Sequence, residues 1–438
     1  MNLLWPGLPL REAGPAIIGK DGMGLNMEHN RGAGNRSKPE VLAPAGDWER
    51  LVSAVQYGAD AVYLAGKQFG MRASPMNFGE EELRRAVAYC HERRVRVYVT
   101  CNTLPRNGEL QALPAFLALC GDAGVDALIV TDLGVMTLAK QYAPRVELHI
   151  STQAGVVNYA CANALHQLGA SRVVLAREVP LGEIAGIRKN TPPELEIEAF
   201  VHGAMCMSFS GRCLLSNYMT GRDANRGDCA QPCRWEYYLT EKQRTQQHFT
   251  IRQEETGTFL LNSRDMCMIS HLPELVEAGV SSLKIEGRAK SAYYVASVTS
   301  AYRRAVDFLW AHPGEPLPLE ILEETEKISH REYSTGFYFG NEPGQTTESG
   351  GYIRRYEVVA VCEGREGEYL RLKQRNRFFR GETADVLQPH AAPFTAELSE
   401  LLNGEREPIE AAPHAEMTVY WKTDAQVAPG AYLRVRRS

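Results

Sequence analysis

The chain contains no uninterrupted run of about 18 apolar residues, so no membrane-spanning helix is expected. A signal peptide is missing too: Met1 to Pro39 mixes Gly, Asn, Arg and Pro without the continuous apolar stretch that export requires. Basic charge is not in excess. With 48 Lys+Arg against 53 Asp+Glu the formal charge is -5, which excludes a generally basic nucleic-acid coat and leaves only local positive patches for that role. Neither HExxH nor GxSxG occurs, so neither a zincin nor a serine-hydrolase site is signalled. The paired Cys-x-x-Cys motifs of structural zinc sites are likewise absent.

What is present is globular. A hydrophobic fraction of 44% and a charged fraction of 23% support a sizeable core, and 438 residues call for two domains after allowance for tails. Residues 1–39 read as a disordered extension, with Met23 and Met27 as alternative starts. Ten cysteines in a large chain without an export signal point to reduced thiols and a cytoplasmic setting.

From Glu40 onward, short apolar runs alternate with helical segments. The runs are Val41–Pro44, Ala61–Ala65, Val95–Thr100, Ala127–Thr131, Val146–Ser151, Arg172–Ala176, Leu195–His202 and Ser282–Ile285. Continuous apolar runs are the pattern of parallel strands buried on both faces. Eight strand–helix units over roughly 260 residues predict a (β/α)8, TIM-like barrel. A doubly wound sheet is the alternative, disfavoured because no glycine-rich loop follows the first run. Gly58, Gly124 and Gly279 suit helix C-terminal caps. The barrel domain spans 40–336, and 337–438, with alternating runs and turns such as Asn403–Gly404, reads as a small C-terminal β-barrel domain.

A long polar insertion interrupts the barrel after its seventh strand. This loop, 203–267, carries Cys206, Cys213, Cys229 and Cys233 within 28 residues, followed by Cys267. Cys90, Cys101, Cys120, Cys161 and Cys362 are scattered among apolar neighbours and read as core residues. Zinc and a disulfide compete for the clustered thiols, but a [4Fe–4S] cluster tolerates such irregular spacing best. The expected ligands are Cys206, Cys213, Cys229 and Cys267, with Cys233 as the alternate fourth. Gly203, Gly211, Gly221 and Gly227 let backbone amides approach the sulfurs.

The stretch "EAFVHGAMCMSFSGRCLLSNYMTGRDANRGDCAQPCRW" resembles the signature of the peptidase U32 family. "LAPAGDWERLVSAVQYGADAVYLAG" and "LLNSRDMCMISHLPELVEAGVSSLKIEGRAKSAYYVASVTSAYRRAVD" resemble it as well, so the likeness runs over about residues 40 to 340. The β-rich tail is similar to the C-terminal domain of longer members. The resemblance implies oxygen-independent hydroxylation of RNA or a quinone precursor with a [4Fe–4S] cluster and prephenate as oxygen source or required metabolite. "NRGDCAQPCRW" and "SLKIEGRAKS" resemble the branch that makes 5-hydroxyuridine at the tRNA wobble position. It also implies Cys206, Cys213 and Cys229 as ligands, with Cys267 or Cys233 fourth. Ribosomal RNA cytidine hydroxylation, collagenase-like proteolysis and a non-catalytic iron–sulfur scaffold are the alternatives, and a paralogous family member is a conceivable partner.

Barrel strand ends face the reaction chamber. On that basis Arg72, Lys284 and Arg288 are expected to neutralise a dicarboxylate such as prephenate, with Asn77 and Arg177 beside them. Glu178 and Glu286 would orient these groups or move protons, and Gln153 or Asn262 would read a uracil edge. His202 is a third catalytic candidate, against the alternative that it only packs; Lys284–Glu286 is a candidate structural ion pair. In the tail, "RLKQRNRFFR" holds five basic residues and no acid. Strand alternation would put Arg371, Lys373, Arg375 and Arg377 on one face as a tRNA phosphate track, with Phe378 and Phe379 as a stacking platform.

Overall fold

The computed structural model describes residues 38–70, 77–206, 208–210, 212–224, 228–235, 263–340 and 352–437. The strands of the first region are β1 Glu40–Pro44, β2 Ala61–Ala65, β3 Arg96–Cys101, β4 Ala127–Val130, β5 Glu147–Ile150, β6 Arg172–Val174, β7 Glu196–Ala204, β8 Asp265–Cys267, β9 Ser282–Ile285 and β10 Tyr333–Ser334. Strands β1 to β7 pair in parallel in sequence order, and β9 closes the ring by pairing in parallel with both β7 and β1. All eight barrel strands coincide with the predicted apolar runs. They are parallel, buried on both faces and separated by helices, so the TIM-like barrel stands.

The helices are α1 Trp48–Gln56, α2 Glu80–His91, α3 Leu113–Asp122, α4 Leu133–Tyr142, α5 Tyr159–Gln167, α6 Leu181–Lys189, α7 Leu215–Thr220, α8 Leu272–Glu277, α9 Ala292–Ala311 and α10 Leu319–Glu324. Starts follow from side-chain caps: Asp47, Asp132 and Asn158 accept from the backbone amides of Arg50, Val135 and Cys161. Past their ends, Gly58, Gly124 and Gly279 adopt φ of 96, 77 and 98°, which suits glycine after a helix.

Inside the barrel, the end where the strands begin is plugged by charge. Arg172, 1% exposed, reaches Glu40 at 2.7 Å and Glu198 at 3.0 Å, and Tyr98 donates to Glu40 at 2.6 Å. Lys284 lies 2.6 Å from Glu198. Burial would raise the Glu198 carboxyl, but Lys284 and Arg172 outweigh it and hold the group down at about 2. Removing one partner of a buried pair costs about 3–5 kcal/mol, so this plug is a stability element.

The tail is an antiparallel sheet domain. Its strands are β11 Tyr356–Glu366, β12 Tyr369–Gln374, β13 Phe378–Phe379, β14 Thr383–Leu387, β15 Phe394–Glu397, β16 Leu401–Leu402, β17 Ala411–Ala412, β18 Thr418–Lys422 and β19 Tyr432–Arg436. Seven pair in the order β15-β14-β19-β11-β12-β18-β16, and β13 pairs with β17. Trp421 and Phe378 anchor a core separate from that of the barrel. Residues 337 and 338, expected in the tail, pack with the barrel instead: Tyr338 donates to the Phe200 carbonyl at 2.6 Å.

The two regions meet through polar side chains. Arg434, fully buried, forks onto Glu324 at 2.5 and 2.6 Å and reaches Asp385 at 2.9 Å. Tyr57 donates to the Leu387 and Gly430 carbonyls, and the Ser53 and Tyr432 hydroxyls stand 3.1 Å apart.

Candidate functional site

Residues 209 and 210 of the thiol loop reach the rim of the barrel at the strand C-terminal ends. Glu178, just after β6, accepts from the Ser210 backbone amide at 3.0 Å and from its hydroxyl at 3.1 Å. Ser210 lies between Cys206 and Cys213, so this contact ties the loop to the rim. Phe209 rests over the turn after β5, where a Cβ on Gly155 would stand 3.5 Å from its ring.

Beneath the loop, Arg177 donates to the Ala204 carbonyl at 2.9 Å and to Glu286 at 3.1 Å, with its guanidinium 4.0 Å from the Phe200 ring centroid. The pair bridges the ends of β6 and β9 across β7. Arg288, buried at 7% exposure, donates to Thr100 at 3.3 Å and meets the Asn77 amide oxygen at 3.5 Å. Gln153 sits partly buried in a single 3-10 turn after β5. Gly203 makes this geometry possible: at φ +113 its missing Cβ would stand 2.6 Å from the Glu286 carbonyl oxygen.

Several expected placements differ. Lys284 does not pair with Glu286 and does not serve the mouth; its ammonium belongs to Glu198 in the charged plug, 4.7 Å from the Tyr63 ring centroid. His202 is enclosed at 2% exposure by Tyr294, Tyr302 and Tyr333, with ring centroids 6.0, 5.6 and 5.5 Å away. Burial, reinforced by the nearby His330 and Lys290 charges, pushes it down to about 3, so it is neutral and packed rather than a base at the mouth. Arg72 and Asn262 lie outside the described residues.

The thiols divide. Burial raises the Cys233 thiol, the adjacent Arg234 charge opposes this, and Cys206, Cys229 and Cys213 raise it further. Cys206, Cys213 and Cys229 thus lie within electrostatic reach of Cys233. Cys229 and Cys206 are exposed, and the Gln231 amide donates to the Cys229 sulfur at 3.3 Å. Cys267 faces elsewhere: it is raised by burial, and its neighbours are Ile269, Thr325 and Tyr302, with the Thr325 hydroxyl 3.9 Å from Sγ. Cys267 sits on β8, which runs antiparallel to β7 and pairs it with His202, on the packed side of the wall.

Among the described residues, no three His, Cys, Asp or Glu side chains have the geometry of a single-ion site. Four soft sulfur donors on one exposed loop, with an amide aimed at one of them, match the donor set of an iron–sulfur cluster, whose ligand sulfurs spread around a cube. Gly211 and Gly227 lie outside the described residues.

The tail track is partnered by acids of the tail and of α1. Arg371 pairs with Glu363 and Glu366 at 3.1 and 3.2 Å, Lys373 with Glu416 at 2.7 Å, and Arg375 with Glu416 at 2.5 Å and Glu49 at 3.5 Å. Strand β12 ends at Gln374, so Arg375 and Arg377 lie beyond the alternating segment. Phe378 is fully buried in the tail core and offers no stacking face; Phe379 is 45% exposed.

Comparison with known proteins agrees with this architecture. Residues 46–348 match the model of peptidase family U32, and residues 354–434 match that of the peptidase family U32 C-terminal domain. A Bacillus subtilis relative called tRNA hydroxylation protein P1 is 36% identical over 402 residues, covering 91% of this chain and 94% of that protein. The Escherichia coli tRNA hydroxylation protein P is 35% identical, over 87% of this chain and 93% of its own. The 23S rRNA 5-hydroxycytidine C2501 synthase of Escherichia coli is 36% identical over 70% of this chain and 46% of its own length. Through both its barrel and its tail, the chain belongs to peptidase family U32.

Proposed function

We propose that this chain hydroxylates tRNA, forming 5-hydroxyuridine at the wobble position without molecular oxygen. A [4Fe–4S] cluster on Cys206, Cys213, Cys229 and Cys233 and a dicarboxylate of the prephenate class as oxygen source complete the reading. The observation that carries it is that Cys206, Cys213 and Cys229 lie within electrostatic reach of Cys233, in a loop that Glu178 fastens at the barrel rim. Relatives named for tRNA hydroxylation match both domains of the chain and support the substrate.

When bound, the cluster supplies one-electron chemistry at the mouth. The chain's own residues would do the rest. Arg288, held by Thr100 and Asn77, would fix a carboxylate in a site that excludes water. Arg177 would neutralise a second carboxylate, with Glu286 holding its guanidinium in place and moving a proton. Gln153, after the neighbouring strand β5, would read a base edge.

Ribosomal RNA is the second reading, favoured by the 36% identity to the cytidine synthase. Proteolysis fits less well, because His202 is neutral and enclosed by tyrosines and so is no partner for a thiol nucleophile. The test is nucleoside mass spectrometry of tRNA and ribosomal RNA from cells lacking the protein. Loss of 5-hydroxyuridine derivatives from tRNA is expected. An unchanged tRNA profile with no redundant relative present overturns the reading, and a lost ribosomal hydroxycytidine moves it to the second.

A further inference from the structure

Tyr352, where the chain enters the tail, is surrounded by cations. Lys290 Nζ stands 4.8 Å from its ring centroid, the Arg331 guanidinium 4.9 Å and that of Arg354 6.0 Å. Arg234 and Arg331 both donate to its hydroxyl, at 3.4 and 3.2 Å. The four cations come from different parts of the chain: Arg234 from the thiol loop, Lys290 from the turn after β9, Arg331 and Arg354 from the passage into the tail.

Among the described residues, Asp265, 3.4 Å from Arg331, is the only carboxylate in ion-pair contact with any of the four. Arg354 Nε donates to the Ser329 hydroxyl at 3.2 Å, and Lys290 also faces the Tyr294 ring. Arg331 is 3% exposed, and its Nε is buried without a hydrogen-bond partner. Burial, then the Arg234 charge, lowers the Arg331 pKa, as crowded positive charge does. Like charges held this close cost free energy that an anion would offset.

We infer that this cluster is a phosphate-binding site for the backbone of an RNA strand at the edge of the thiol loop. The inference rests on the RNA-substrate reading above and assigns where the strand is gripped. Arg234, Lys290 and Arg354 contact the phosphodiester oxygens, and Arg331 is a fixed charge behind them. Arg234 adjoins Cys233, so a strand held here runs beside the thiols. The tail run is the poorer grip, because Arg371, Lys373 and Arg375 already carry carboxylate partners.

The test uses the full-length protein and a labelled single-stranded RNA oligonucleotide, titrated at several salt concentrations. K290E/R354E is expected to weaken binding about 10-fold at low salt and to lower the slope of log affinity against log salt by roughly 1–2. An R371E/R375E control is expected to bind like the parent. Unchanged affinity and slope in K290E/R354E overturns the proposal, as does an equal or larger loss in the control. Inorganic phosphate is the second probe: if it raises the melting temperature of the parent but not of K290E/R354E while RNA affinity stays equal, the site holds a small anion only and the proposal fails. Should the double variant misfold by circular dichroism, R354E alone, at an exposed position, repeats the comparison. Binding is read independently of hydroxylation, so an unaltered nucleoside profile sinks the activity without touching this result.

Discussion

Glu178 grips Ser210 twice, through the backbone amide at 3.0 Å and the hydroxyl at 3.1 Å. One residue follows a barrel strand, and the other lies between two thiols. Hydrogen bonds to a charged acceptor contribute about 1.5–3 kcal/mol, and here that free energy holds a loop rather than the whole fold. Glu178→Ala is therefore expected to leave the global melting temperature nearly unchanged while opening residues 206–213 to limited proteolysis and lowering the iron content of anaerobically purified protein. A loop as resistant as in the parent would count against the tether.

The separation of Cys233 from Cys267 makes a paired prediction. Cys233→Ser is expected to remove most of the iron and acid-labile sulfide with little change in stability. Cys267→Ser keeps both and changes stability by less than about 1 kcal/mol, because the new hydroxyl has the Thr325 and Tyr302 hydroxyls as hydrogen-bond partners. Iron and sulfide analysis with urea denaturation reads the two effects, and the reverse pattern restores Cys267 as the ligand.

Arg434 joins the tail to the barrel with both Glu324 and Asp385 in reach. Burial disfavours its charge, but Tyr293, Glu324 and Asp385 more than compensate and hold it well above the usual arginine range. Arg434→Met leaves Glu324 buried without its principal partner and is expected to cost about 3–5 kcal/mol by denaturant titration. Arg434→Met combined with Glu324→Leu should recover much of that loss. No recovery would mean that the pair does more than neutralise itself.

His202 gives the stability a sign with pH. Its folded pKa, about 3, lies below the ordinary value of 6.5, so the unfolded chain takes up this proton first. The contribution of neutral His202 is full above pH 6.5 and is lost as pH falls from there toward 3, by about 1.4 kcal/mol per pH unit for one proton. His202→Gln should flatten the plot of unfolding free energy against pH in this window. An unchanged slope would assign the acid sensitivity to other groups.

The barrel was legible because parallel strands buried on both faces leave continuous apolar runs, from Val41 to Ile285, that need no long-range knowledge to find. Strand β8 was not: three residues, Asp265–Cys267, form it only because β7 runs on past the barrel wall and offers an edge. Partner choice was equally hidden. Lys284 and Glu286 looked paired by their spacing, yet Glu198, 86 residues away, takes the lysine, and Arg177, 109 residues away, takes the glutamate. The acids that partner the tail run were hidden in the same way, since Glu416 and Glu49 reach it from elsewhere. Spacing alone likewise does not tell which side of a wall Cys267 faces.

At Gly203, the carbonyl of Glu286 occupies the place where any other residue would carry its first side-chain carbon. The seam at which the ring of strands closes is thus set by a single absent methyl group. Alanine there would wedge the ends of β7 and β9 apart, and the thiols, which begin three residues later, would move with them. The placement of Cys206 relative to the end of β9 is inherited from that one contact, which gives the loop a fixed root rather than an adjustable one.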